Sequence, residues 1–185
     1  MTLLYIILGI AVLVLLAGIT IYNKLVRLRN TVKTSWSDID VQCKKRYDLV
    51  PNLVETVKGY ASHERTVFEK VTQARSMAMQ ATTPAEMAKA ENMIRETLKS
   101  LFAVAEAYPE LKANANFLQL QSQVQELENN IEYARRYYNA VVRDYNIMIE
   151  SFPSNIVASQ FGFKQEELFQ LETPEVERKP VKVSF

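Results

Sequence analysis

Histidine, cysteine and tryptophan each occur once in these 185 residues, glycine four times and proline six times. So few turn residues disfavour an all-β architecture of many short strands. One cysteine, Cys43, excludes an internal disulfide and any multi-cysteine metal site. One histidine, His63, excludes the di-metal centre of helical bundles, which needs two Glu-x-x-His pairs. It stands beside Glu64 at a helix start, the setting of a surface or capping ring. No glycine-rich phosphate loop and no nucleophile elbow is present. The formal charge of +1 supplies no global polycation for nucleic acid. No enzyme activity, cofactor, metal or nucleic-acid partner is therefore expected.

Charge is also missing from Met1 to Asn23, where no side chain is ionisable to a charge at neutral pH. Lys24, Arg27, Arg29 and Lys33 follow at once. A bilayer core about 30 Å thick needs roughly 20 apolar helical residues, and Leu3 to Tyr22 supplies them. Cations after the span and none before it predict a single-pass membrane protein with its C-terminal domain in the cytoplasm. A cleaved signal peptide would need a positive start and a shorter apolar stretch. Ile19 also stands where a lipoprotein signal would require cysteine after Leu16-Ala17-Gly18, so an uncleaved anchor is expected. Tyr5 and Tyr22 mark the two ends of the span, as interfacial aromatics do. Gly9 and Gly18 lack the four-residue spacing of a close-packing pair, so the span alone predicts no transmembrane dimer. From Lys24 to Asp48 the net charge is +4. That basic stem either sets topology alone or also attracts anionic headgroups, at roughly 1 kcal/mol per well-placed cation.

Beyond the anchor, apolar residues recur at steps of three and four. The longest run is Phe117, Leu120, Val124, Leu127, Ile131, Ala134, Tyr138, Val141, Tyr145, Met148 and Phe152. It predicts one long helix over 115–152 with a coiled-coil-like seam. A second seam, Val32, Trp36, Ile39, Cys43, Tyr47, Val50, Val54, Val57 and Ala61, makes anchor and stem one nearly continuous helix from Leu3 to about Tyr60. Pro51 removes a backbone donor there and should kink the helix near Tyr47 to Pro51. Ser62 is the expected N-cap of the next helix, which runs to about Gln80. Thr83, Pro84 and Glu86 form a strong start signal for another, ending before Tyr108-Pro109. The segment 109–114 reads as a loop, and 156–161 as one or two helical turns. The fold class is all-α: a transmembrane helix running into a long-helix antiparallel bundle, then a short extended tail. The expected divisions are 1–23 anchor, 24–163 helical bundle and 164–185 tail, extended or partly disordered from Thr173 or docked as a short strand.

Several stretches in order resemble the LemA family of bacterial membrane proteins. They include Tyr22-Asn23 and Arg29-Asn30 after the anchor, then Trp36-Ser37-Asp38-Ile39-Asp40-Val41-Gln42. Arg46-Tyr47-Asp48-Leu49-Val50-Pro51-Asn52-Leu53-Val54 and Val57-Lys58-Gly59-Tyr60-Ala61-Ser62-His63-Glu64 follow. Later come Ala107-Tyr108-Pro109-Glu110-Leu111-Lys112-Ala113-Asn114, Phe117-Leu118, Tyr138-Asn139, Tyr145-Asn146, Phe152-Pro153-Ser154-Asn155 and Phe161-Gly162-Phe163. The resemblance implies an N-terminal helix across the bacterial cytoplasmic (inner) membrane and a cytoplasm-facing helical bundle, and implies no particular reaction. Cys43 stands where the family more usually has a hydrophobic residue such as leucine, which favours packing over redox chemistry.

The candidate surfaces are then few. The bundle seam is Trp36, Ile39, Cys43, Tyr47, Val124, Leu127, Ile131, Tyr138 and Tyr145. The membrane-facing basic stem is Lys24, Arg27, Arg29 and Lys33. Tyr133 and Tyr137, one turn apart and off the seam, are candidates for a protein interface. Asn30, Asn52, Asn114, Asn116, Asn139 and Asn146 recur within helices at a cost in propensity, as amides that fix register do. The expected function is a membrane-anchored scaffold, homo-oligomeric, that organises membrane or protein partners. The alternative is a signalling or regulatory adaptor that holds a soluble kinase or a membrane protease.

Overall fold

The computed structural model describes residues 1–170, and every regular element among them is an α-helix. The expectations for the tail from Thr173 fall outside the described residues. Helix α1, Thr2–Lys58, carries the apolar span and the basic stem in 57 unbroken residues, with Pro51 inside it. Residues 1–17 are exposed along their whole length, and the first buried side chain on α1 is Leu25. Residues 1–17 are therefore covered by none of the other described residues.

Helix α2 is Arg65–Gln80, not the longer helix expected from a cap at Ser62. The chain keeps turning past Lys58: the N–H groups of Tyr60 and Ala61 bond to the Val57 carbonyl, and that of Glu64 to the Ala61 carbonyl. Buried Ala61 anchors this turn, so the helix starts only at Arg65, and its N-cap Glu64 makes no side-chain bond. Helix α3, Pro84–Glu106, opens on the expected capping box. Glu86 N–H donates to Thr83 Oγ1 at 3.2 Å, while Glu86 Oε2 accepts from the Thr82 and Thr83 N–H groups at 3.0 and 3.2 Å. Those backbone donors hold the Glu86 carboxyl below its usual range.

The expected loop after Tyr108 is a single turn, α4, Pro109–Lys112. Proline presets the backbone angle at the first helical position, and fully buried Leu111 draws the turn into the core. Helix α5, Ala115–Glu150, spans 36 residues. Asn114 Oδ1 caps it by accepting from Phe117 N–H at 3.0 Å, and its Nδ2 donates to the Tyr60 hydroxyl, also at 3.0 Å. The helix ends two residues before Phe152, which is 81% exposed and not part of the seam. Helix α6, Ser154–Gln160, follows.

The chain divides into two compact units, one made of Met1–Asp40 with Glu132–Leu168, the other built on Val41–Ile131. In the second unit α2 packs on α3, and Val50, Leu53, Val57, Val71, Ile94 and Ile131 are buried. In the first unit α6 closes on a Schellman turn. Gly162 takes φ +68°, its N–H bonds to Ser159 and that of Phe163 to Ala158. The left-handed angle is what makes glycine fit there. Residues 164–170 carry neither helix nor strand.

Candidate functional site

The second unit holds ionised groups in its interior. Arg46 on α1 is fully buried, and Glu91 on α3 is nearly so. Arg46 Nη2 donates to Glu91 Oε2 at 2.6 Å, and Nη1 donates to Glu128 Oε2 on α5. Arg95, one turn beyond Glu91, closes the group from outside: its Nε and Nη2 lie 3.1 and 3.0 Å from Glu128 Oε1. The Tyr47 hydroxyl donates to the other oxygen of Glu91 and lies 3.5 Å from Met87 Sδ. Three helices are thus joined through one guanidinium.

Helical spacing explains why these side chains point inward. Cys43, Arg46, Val50, Leu53 and Val57 follow alternating steps of three and four on α1, and all five are buried. Met87, Glu91, Ile94, Leu98 and Leu101 do the same on α3. Glu128 falls between Val124 and Ile131 at the same spacing on α5. A charged residue at a seam position was the available signal, and it was hidden because an apolar neighbour (Tyr47, Ala90, Leu127) fits the pattern equally well.

The electrostatics follow from burial and pairing. Burial by itself lowers the Arg46 pKa, but the carboxylates of Glu91 and Glu128 outweigh it and hold the guanidinium above its ordinary range. Burial, then the Glu91 charge, pushes the Tyr47 phenol up. Burial likewise pushes the Cys43 thiol up, with Glu91 adding to it. A thiol held protonated is neither a nucleophile nor a metal ligand at neutral pH. Arg46, Tyr47, Glu91, Arg95 and Glu128 are each bonded across helices.

Pro51 has a second consequence here. Lacking an N–H, it leaves the Tyr47 carbonyl without its partner in α1. Arg75 of α2 supplies the missing donor, with Nε 2.8 Å from that oxygen. At Tyr47 to Pro51, where a kink was expected, the freed carbonyl thus enters a cross-helix bond within one continuous helix.

The first unit is held differently. The Trp36 and Tyr138 rings lie 5.5 Å apart. Tyr22 packs on Phe161 and Phe163 at 4.8 and 5.8 Å. The segment after α6 is strapped to α5 through backbone groups: Asn146 donates to the Glu166 carbonyl at 2.9 Å and accepts from its N–H at 3.0 Å. The Tyr138 hydroxyl donates to the Glu167 carbonyl at 2.8 Å. Burial, then the nearby Glu166 and Glu167, pushes that phenol up to about 12. Asn114 and Asn146 accordingly act as a helix cap and a strap anchor, while Asn30, Asn52 and Asn116 are exposed.

The other expected residues fall as follows. Ile39, Cys43, Tyr47, Val124, Ile131, Tyr138 and Tyr145 are buried; Trp36 and Leu127 are half-buried. Lys24, Arg27 and Lys33 are exposed, whereas Arg29 is half-buried with its guanidinium 5.0 Å over the Phe163 ring. Tyr133 and Tyr137 are 64% and 55% exposed, and Arg136 lies 4.8 Å over the Tyr133 ring. His63 is exposed.

Residues 35–185 match the LemA family. Protein LemA of Metamycoplasma hominis is 30% identical over 166 residues, covering 88% of this chain and 74% of that protein. Magnetosome protein MamQ 2 of Paramagnetospirillum magneticum is 25% identical over 175 residues, covering 80% of this chain and 64% of its own length. Magnetosome protein MamQ of Magnetospirillum gryphiswaldense is 24% identical over 192 residues, covering 88% and 71%. The chain therefore spans less than two thirds of MamQ 2.

Proposed function

The chain belongs to the LemA family, and from that premise we propose a non-enzymatic, membrane-anchored helical scaffold that self-assembles and organises membrane or protein partners. Association with a bacterial membrane follows from its exposed apolar helix segment and its LemA and MamQ relatives. In this reading α1 crosses the bilayer once, and the positive flank of Lys24, Arg27 and Lys33 keeps the bundle on the cytoplasmic side. Residues 1–23 serve as anchor, 24–163 as the bundle and 164–185 as its tail.

One observation carries the reading: α1 runs without a break from an uncovered apolar stretch into the buried seam at Cys43 to Val57. Such a helix transmits position from membrane to bundle. The polar cluster supports structure over chemistry, because its thiol and phenol are held protonated and its charges are paired across helices. The test is the particle mass of the full chain in a mild detergent, with images of the same sample. A single large symmetric species is expected; a monomer at working concentration sinks self-assembly.

The exposed pair Tyr133 and Tyr137 favours a second reading, an adaptor that holds a soluble kinase or a membrane protease. Deleting residues 173–185 separates the two. Loss of partner capture with assembly intact favours the adaptor.

A further inference from the structure

No charged residue occurs from Ser151 to Phe163, although Glu150 and Lys164 flank the segment directly. Three of its large apolar side chains are exposed: Phe152 at 81%, Ile156 at 59% and Phe161 at 61%. Three such groups on an elbow and one short helix exceed the scattered single apolar residues of an ordinary surface.

Their position along α1 is given by the ring contacts of the first unit. Trp36 lies 5.5 Å from Tyr138 and, nearer the span, Tyr22 lies 4.8 Å from Phe161 and 5.8 Å from Phe163. Tyr22 is the last aromatic before the first cation, Lys24, at the end of the uncharged stretch of α1.

We propose that the α5–α6 elbow is a second membrane contact, with Phe152, Ile156 and Phe161 seated in the headgroup–acyl boundary of the bilayer that α1 spans. The occupant is lipid because the patch is continuous, through Tyr22, with the apolar surface of the span. Tyr22 suits that boundary, phenylalanine suits the apolar face of an interfacial helix, and exposed Lys24 and Arg27 follow Tyr22 where cations meet anionic headgroups. A helix lying in the interface needs only an uncharged face at that depth, not a spanning length. The consequence is mechanical: anchored at two points, the first unit is held against tilting or rotating about α1. The inference rests on α1 spanning the bilayer, as proposed above.

The test uses the full chain carrying Cys43→Ala, reconstituted in vesicles of phosphatidylcholine and phosphatidylglycerol. Spin labels are placed singly at Phe152→Cys and Ile156→Cys, with Leu8→Cys as the mid-span reference and Glu132→Cys as the aqueous one. Glu132 is exposed and stands about 30 Å up the chain axis from Phe152. Expected is a ratio of oxygen to water-soluble-relaxant collisions several-fold higher at 152 and 156 than at 132, and below that at 8. Labels at 152 and 156 as aqueous as the one at 132, or shielded from both relaxants as under a protein partner, overturn the contact while the label at 8 still reports lipid. If the label at 8 reports water as well, the anchor itself fails and the contact falls with it.

Discussion

Within Val41–Ile131 three helices meet through ionised groups, with Arg46 set between Glu91 and Glu128. Within Met1–Asp40 and Glu132–Leu168 the fastenings are rings and amides: Trp36 on Tyr138, Tyr22 on Phe161, and Asn146 gripping the backbone of Glu166. The two chemistries fail differently. A buried ion pair adds little net stability over an apolar pair, yet removing one partner strands a charge at several kcal/mol. A slip of one turn on any of the three helices strands Arg46 in the same way, so the cluster discriminates register. Rings and amides tolerate small shifts, and they carry no net charge into the part of the molecule that begins at the apolar span.

The largest expected effect tests the charged side of this contrast. Glu91→Ala leaves Arg46 buried with Glu128 alone and should cost about 3–5 kcal/mol. Chemical unfolding in detergent, followed by helical circular dichroism, reads it. The double replacement Arg46→Met with Glu91→Leu should recover most of that loss. A silent Glu91→Ala would mean that the guanidinium is not held in the core.

A middle-sized effect is expected at Pro51. Arg75→Met strips the donor from the Tyr47 carbonyl and should cost about 1–3 kcal/mol, the penalty of an unsatisfied buried group. In a Pro51→Ala background the new N–H serves that carbonyl, so the same substitution should cost much less. Equal costs in both backgrounds would show that Arg75 contributes by some other contact.

The smallest effect probes the amide side. Asn146→Ala removes two hydrogen bonds to an exposed strap and should cost about 1 kcal/mol. Amide exchange at Glu166 should quicken while residues 41–131 keep their protection. A global loss of protection would erase the contrast between the two units.

Much of the architecture is legible in the sequence. The uncharged start, the three-and-four spacing, the Thr83–Glu86 box and the Pro109 stop locate most helices because each acts within one or two turns of backbone. Three expectations yielded to packing: the cap at Ser62 lost to a turn anchored by buried Ala61, the 109–114 loop became a turn around buried Leu111, and Phe152 left the seam for an exposed place beyond α5. The charged cluster was harder to see. Arg46 reads as one more cation of a basic stem, and its neighbour Tyr47 satisfies the seam just as well.

The sequence by itself determined that this chain is helical, that one end is long and apolar enough to cross a bilayer, and roughly where most of the helices lie. Local backbone preference and hydrophobic spacing suffice for that. Only the tertiary structure decided that Arg46 is interior, that Glu91 and Glu128 pair with it, that Arg75 stands in for the hydrogen Pro51 lacks, and that Phe152 is left outside. Periodicity names a face of a helix. Which of two adjacent side chains on that face is buried, and with whom it pairs, depends on a neighbouring helix distant in sequence.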